Sequence, residues 1–238
     1  MNLQSLFSFL LIIALFSACH SEPQAKDPKS EIEALAQEVA QSPSADNQKA
    51  LITAYMNYAL ANPAAAESAT YVAEASKVQA AIIEAGQGSS AQLNAKVMEM
   101  GQLIFNDSLQ QIDLNMASLF VNACEQYAIA LPNDEQSPTL LHKGGETARS
   151  IRNFDKALAL YEKIEKDYPN NPKAPQALFL RAFTLDNDLK RYDEARVLYE
   201  SFVEKYPEDD FADDTQFLLQ NLGKSDEEII ESFNSNSK

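Results

Sequence analysis

Apolar positions along the chain fall mostly at helical spacing. Phe154, Ala157, Tyr161, Ile164 and Tyr168 stand 3, 4, 3 and 4 residues apart, and Pro169 follows at once. Tyr192, Ala195, Tyr199, Phe202, Tyr206 and Pro207 repeat the pattern with every position displaced by 38. Such spacing places the side chains of each set on one stripe of a helix. Proline then ends the helix, because it lacks an N–H and disfavours a helical residue before it. Tyr55 with Pro63, and Cys124 with Pro132, show the same separation as Tyr161 with Pro169, so four helices are predicted to end alike. No run of alternating β-branched residues marks a strand. The predicted class is all-α.

A second repetition has a longer period. LITAYMNYALANPAAAESAT (51–70) laid over FVNACEQYAIALPNDEQSPT (120–139) matches Tyr58 with Tyr127, Pro63 with Pro132 and Ser68 with Ser137, among seven identities without a gap. This offset of 69 suggests an internal duplication, with a shared helical pattern in Ala-rich sequence as the alternative. Thirteen residues after the prolines stand Ser76, Gly145, Ala182 and Gln220, three of them small, where a second helix would cross the first closely. Helix–turn–helix units that recur at a fixed period and share a stripe predict a solenoid, because one unit cannot bury its apolar face alone.

The ends of the array carry their own signals. Ser30 with Glu33, and Ser225 with Glu228, have capping-box spacing, predicting a first helix from Ser30 and a last one from Ser225. Gly223 suits a position just past a helix, where positive φ is needed.

Gly145, Ala157, Tyr161 and Pro169, followed by Ala195, Tyr199 and Pro207, make the chain resemble the tetratricopeptide repeat family. That family has a small residue at its eighth position, Ala at the twentieth, an aromatic at the twenty-fourth and Pro at the thirty-second. Ala182 stands one residue out of frame, and the periods of 37 and 38 exceed the family's usual 34 or so. The resemblance implies a right-handed α-solenoid of about ten helices after the leader. It implies N-terminal repeats over 30–137 with a divergent middle at 85–113, and C-terminal repeats with a capping helix over 138–238. It also implies a concave face lined by the first helix of each pair. In the family register, the lining positions are Thr139, His142, Glu146, Arg149, Gln176, Phe179, Phe183 and Asp186, and they are expected to hold a peptide or a partner helix. For Phe179 and Phe183, four apart on one helix face, packing into the core is the rival expectation.

The first eighteen residues carry no charged side chain. Their apolar run Leu6–Phe16 is shorter than the ~20 residues a membrane-spanning helix needs and reads as the core of a secretory leader. The ending Leu15-Phe16-Ser17-Ala18-Cys19 resembles a bacterial lipobox, which makes Cys19 the expected lipid attachment site and 19–29 a polar tether. An ordinary cleaved leader with an incidental cysteine is the alternative. With a lipobox, His20 rather than Asp after the cysteine points to the outer membrane, with the body in the periplasm. Lipobox and repeats together are distantly similar to the repeat-built lipoprotein of the β-barrel assembly machinery. Cys124 is then the only cysteine left and is expected to be a small buried side chain.

A net charge of −16 argues against nucleic acid as a partner. The expected partners are a protein or peptide of the envelope, the membrane through Cys19, and a second copy of the chain as a further option. No catalytic set, metal site or cofactor is predicted, and the chain is expected not to be an enzyme. His142 and Glu146, four apart, are one ligand short of a zinc protease pattern, and His142 is expected to be exposed. The acidic stretch Asp209, Asp210, Asp213, Asp214 lacks the glycine and alternation of a calcium loop and reads as a helix start.

Overall fold

The computed structural model describes residues 27–106, 110–225, 227–228 and 230–231. The leader, Cys19 and most of the tether lie outside them. The described residues form ten α-helices: α1 (Pro28–Gln41), α2 (Ala45–Ala61), α3 (Ala66–Glu84), α4 (Ala91–Gln102), α5 (Leu114–Ala130), α6 (Ser137–Ser150), α7 (Phe154–Asp167), α8 (Lys173–Phe183), α9 (Tyr192–Lys205) and α10 (Ala212–Gln220). Consecutive helices pack on one another, giving an all-α helical-repeat fold with a core that runs the length of the stack.

The four helices with the shared cadence stop in one conformation. α2, α5, α7 and α9 end at Asn62, Leu131, Tyr168 and Tyr206, with φ between −126° and −134° and ψ between 48° and 59°. Each of these residues precedes a proline, which excludes the helical region, and each turns its N–H back to the carbonyl four residues earlier. The 69-residue repetition is structural at this junction. Ser68 and Ser137, both fully buried, donate their hydroxyls to the carbonyls of Asn62 and Leu131 at 2.6 Å in each case. A buried hydroxyl without that acceptor would be costly.

Stripe residues fill the core as the spacing implies: Ala157, Tyr161, Ile164, Ala195, Tyr199 and Phe202 are all fully buried. Close crossing between α6 and α7 depends on Gly145, where a Cβ would lie 2.5 Å from the Tyr161 ring. The turns after α6 and after the π-helical turn place Arg152 (φ 63°) and Lys190 (φ 55°) in the left-handed region, again 38 residues apart. The one-residue frame shift at Ala182 also has a physical form. α8 runs into a π-helical turn at Thr184–Asp188, which absorbs one extra residue without breaking the helix.

Two features add to the expected pattern and one departs from it. First, 85–113 holds one helix, α4, and a two-stranded antiparallel ribbon, β1 (Phe105–Asn106) with β2 (Gln111–Ile112). α3 packs directly on α5, so the segment is an insertion between repeat helices rather than a helix pair. It is integral to the core nonetheless, since Leu93, Val97 and Met100 are fully buried. Second, Ser30 does not cap α1. Pro28 occupies the first helical turn, a position that suits its missing N–H, so the helix starts after Asp27, and Ser30 donates to the Asp27 carboxylate at 3.2 Å. Third, α2 begins with a capping box between Ser44 and Asn47, which spacing rules built on Glu or Gln pass over. The expected box at the other end is formed: the Ser225 N–H reaches Glu228 at 2.8 Å, and the Glu228 N–H reaches Ser225 Oγ at 3.2 Å. Gly223 has φ +79°. Cys124 is buried, and desolvation pushes its thiol far up from the ordinary range, away from reactivity.

Candidate partner groove

The first helices of two successive pairs, α6 and α8, run side by side and leave a hollow of about 370 Å³ between them. Thr139, His142, Lys143 and Glu146 come from α6, Lys173, Gln176, Phe179 and Leu180 from α8, and Phe211 closes one end. The helical period brings them together. Thr139, His142 and Glu146 share one face of α6, and Gln176, Phe179 and Leu180 one face of α8.

Five of the eight positions expected from the sequence meet here: Thr139, His142, Glu146, Gln176 and Phe179. Arg149 lies further along α6, in a neighbouring polar concavity with Asp188, and its guanidinium stands 4.9 Å over the Phe183 ring. Phe183 is therefore covered by Arg149 on one side and stacked on Phe179 on another. Asp186 does not face α6. Its carboxylate accepts from the Tyr199 hydroxyl of α9 at 3.2 Å, and burial raises its pKa from the ordinary value. The π-helical turn is the reason: one extra residue rotates the positions beyond Thr184, and Asp188 takes the place opposite Arg149.

His142 is 7% exposed, not the open side chain expected. Gly145 lets α7 approach so closely that the Tyr161 ring stands 6.3 Å from the imidazole and covers it. Nδ1 of His142 lies 3.2 Å from a Glu146 carboxylate oxygen, and Nε2 has no hydrogen-bond partner among the described residues. That contact with His142 holds the Glu146 carboxyl below its ordinary value, with Lys173 and Lys143 adding to the effect. Among the described residues no three His, Cys, Asp or Glu side chains converge to hold a metal ion.

Phe179 serves as both floor and core. Its ring stacks on Phe211 at 4.7 Å, meets Phe202 edge-on at 6.2 Å and lies 6.5 Å from Tyr199. Sequence reasoning missed Lys143, Lys173, Leu180 and Phe211. Lys143 and Leu180 stand one residue after the register positions His142 and Phe179, and Lys173 stands three residues before Gln176 on the same helix. Phe211 precedes α10 in the following pair, and its equivalence with Lys173, 38 residues earlier, is the signal that could have located it.

Helix hairpins stacked on a common stripe, with their first helices lining one hollow, define a helical-repeat protein of the interaction-scaffold class. Residues 140–171 and 176–209 match the tetratricopeptide repeat family, and over that stretch the chain is built of tetratricopeptide repeats. Repeats of this family mediate protein–protein interactions and are characteristically non-catalytic. No curated protein matches the chain.

Proposed function

We propose that this chain is a non-catalytic scaffold lipoprotein of the bacterial cell envelope. Its lipidated Cys19 holds it on the outer membrane, with the repeats in the periplasm, and the groove between α6 and α8 captures a peptide or helix of an envelope protein. The observation that carries the reading is the convergence of Thr139, His142, Glu146, Gln176 and Phe179 on one open hollow within the tetratricopeptide repeats. Among the described residues no helix is long and apolar enough to cross a membrane. Stable anchoring takes more than one acyl chain, at ~0.8 kcal/mol per buried CH₂.

Crosslinking in cells followed by mass spectrometry, on the native chain and on Cys19→Ser in parallel, tests this. Links to one envelope assembly that weaken with Cys19→Ser are expected. Links that ignore the substitution would remove the anchor from the account.

Self-association is the second reading. Four large apolar side chains, Leu103, Phe105, Ile112 and Leu114, are 45% to 61% exposed and cluster on and beside the inserted ribbon. Analytical ultracentrifugation separates the two: a scaffold for other proteins sediments as a monomer, a structural self-assembler does not.

A further inference from the structure

A few contacts fix which helix ends meet. The Lys29–Glu67 ion pair, at 2.6 Å, brings the start of α1 to the start of α3. A hollow of about 300 Å³ lined by Ala80, Ile83, Ala130 and Pro132 brings the end of α3 to the end of α5. α3 and α5 pack side by side, so the start of α5 and the inserted ribbon before it lie at the end of the stack where α1 begins. The tether from Cys19 enters at that end. Later turns join it: Thr147 of α6 shares a concavity with Gly101 and Ile104, Arg149 pairs with Asp188, and a Cβ on Gly223 would lie 3.5 Å from the Tyr192 ring at the start of α9.

The two ends differ in charge. Turns at the far end hold Asp134, Glu135, Glu208, Asp209 and Asp210 and no base. Turns at the tether end hold Arg152, Lys190 and Lys224, none of them in an ion pair among the described residues. Cations such as Lys49 and Lys205 are unpaired elsewhere, so the distinction lies in the sign of the turns. The turn acids at the tether end are engaged: Asp113 accepts from the N–H groups of Asn115 and Met116, Asp188 pairs with Arg149, and Asp186 accepts from Tyr199. Asp155 and Asp193 sit in the first turns of α7 and α9, where the helix dipole offsets them.

Beside these cations stands the apolar cluster of the ribbon. Phe105 and Ile112 are cross-strand partners, so their side chains share one face of the ribbon. They are 47% and 45% exposed, and Leu103 and Leu114 flank them at 49% and 61%. Four half-exposed side chains offer a few hundred Å², well short of the ~800 Å² per partner that a stable interface between two copies buries.

Resting on the Cys19 anchor proposed above, we infer that this end of the stack docks on the lipid surface. The ribbon face enters the headgroup layer, and Arg152, Lys190 and Lys224 meet anionic headgroups. From Cys19 to Asp27 the chain takes eight residue steps. That reaches at most ~29 Å, and the ribbon stands about two helix spacings of 8–10 Å from α1. Anchor and ribbon therefore touch the same leaflet. The net charge of −16 opposes an anionic surface at long range, but beyond ~8 Å that field is screened, and the acidic turns face away.

The chain has no tryptophan, so an introduced one reports its own surroundings. Leu114→Trp at the ribbon and Ile129→Trp, 54% exposed near the far end of α5, are made in the full chain. Each is purified from membranes and placed in vesicles of phosphatidylethanolamine and phosphatidylglycerol with brominated acyl chains, which quench tryptophan on contact. Quenching at 114 and none at 129 is expected. Phe105→Asn with Ile112→Asn should abolish it. Each cation at an anionic surface is worth about fivefold, so Arg152→Gln, Lys190→Gln and Lys224→Gln together should weaken the ribbon's lipid contact by at least about tenfold. If the Asn pair loses helicity, the Gln triple, placed in turns, decides alone. A chain that floats with the vesicles but shows no quenching at 114, or equal quenching at 114 and 129, would leave the anchor standing and overturn the docking. A dimer in micelles that the Asn pair dissociates, without quenching in vesicles, would give the face to a second copy and overturn it too. A chain that does not float with the vesicles would overturn the anchor reading and the docking with it.

Discussion

The two halves of the stack bury comparable helices by different means. From α6 onward, the packing is an exchange of large for small: Tyr161 fills the space left by Gly145, and Tyr199 shares a buried cluster with Ala182. From α1 to α5, the core is aliphatic and sulfur-rich, with Ile52, Met56, Val72, Ile82, Leu93, Val97 and Met100 in one cluster. α2, α3 and α5 are also longer, at 17, 19 and 17 residues against 14, 11 and 14 for α7, α8 and α9. Size complementarity permits one register and leaves a recurrent sequence signature. Diffuse aliphatic packing accepts many arrangements, including an inserted helix, and leaves a weak signature. The family match covers 140–171 and 176–209, the half built by the first means.

Truncating the large partner gives the largest expected effect. Phe202→Ala should destabilise the C-terminal repeats by about 3–5 kcal/mol, read by chemical denaturation. Val97→Ala and Leu93→Ala in the insertion together should cost about 3 kcal/mol if α4 is part of the core, by the same measurement. A loss under about 1 kcal/mol would make α4 an appendage and dissolve the comparison.

Next comes the small partner. Gly145→Ala should cost about 1–3 kcal/mol through the clash with Tyr161. Ser76→Ala, at the corresponding crossing in the other half, removes a hydroxyl that already bonds the Val72 carbonyl of its own helix at 2.9 Å and should cost under about 1 kcal/mol. Equal costs would mean that both halves use the same close crossing.

The smallest effect is on pH dependence. The folded state lowers the pKa of Glu146, so this group contributes stability at pH values above its unfolded pKa and loses it as pH falls through the folded one. Glu146→Gln should therefore narrow its gap to the parent chain below about pH 4.5. Glu165 has the opposite sign. Burial raises its pKa despite Arg181 beside it, so protonation favours the folded state and stability is gained as pH falls through the raised value. Glu165→Gln should flatten that gain. Thermal unfolding between pH 3 and pH 7 reads both.

Much of the groove was legible through the tetratricopeptide resemblance, whose register names the lining helix face. Counted in that register from Gly145, Thr139, His142 and Glu146 are expected on the lining face, and all three border the hollow. Counting from Ala182 works for Gln176 and Phe179 and fails at Asp186, because the π-helical turn inserts a residue after the counting starts. His142 was read as exposed because neighbours in sequence do not reveal that the α7 ring lies over it. Lys143, Lys173 and Phe211 escaped because closure of the hollow across three helices is a property of the fold.

What the sequence determined by itself is local or periodic: where helices stop, which stripe is buried, and which residues recur 38 or 69 positions apart. Proline stereochemistry and the 3.6-residue helix act over a few residues, so a one-dimensional pattern records them. Only the tertiary structure decided that 85–113 is an insertion with α3 set directly on α5, that Arg149 meets Asp188 rather than Asp186, and that the inserted ribbon lies at the end of the stack where α1 begins. These depend on which distant helices come into contact. That contact is set by the summed fit of many side chains, and no single spacing along the chain encodes it.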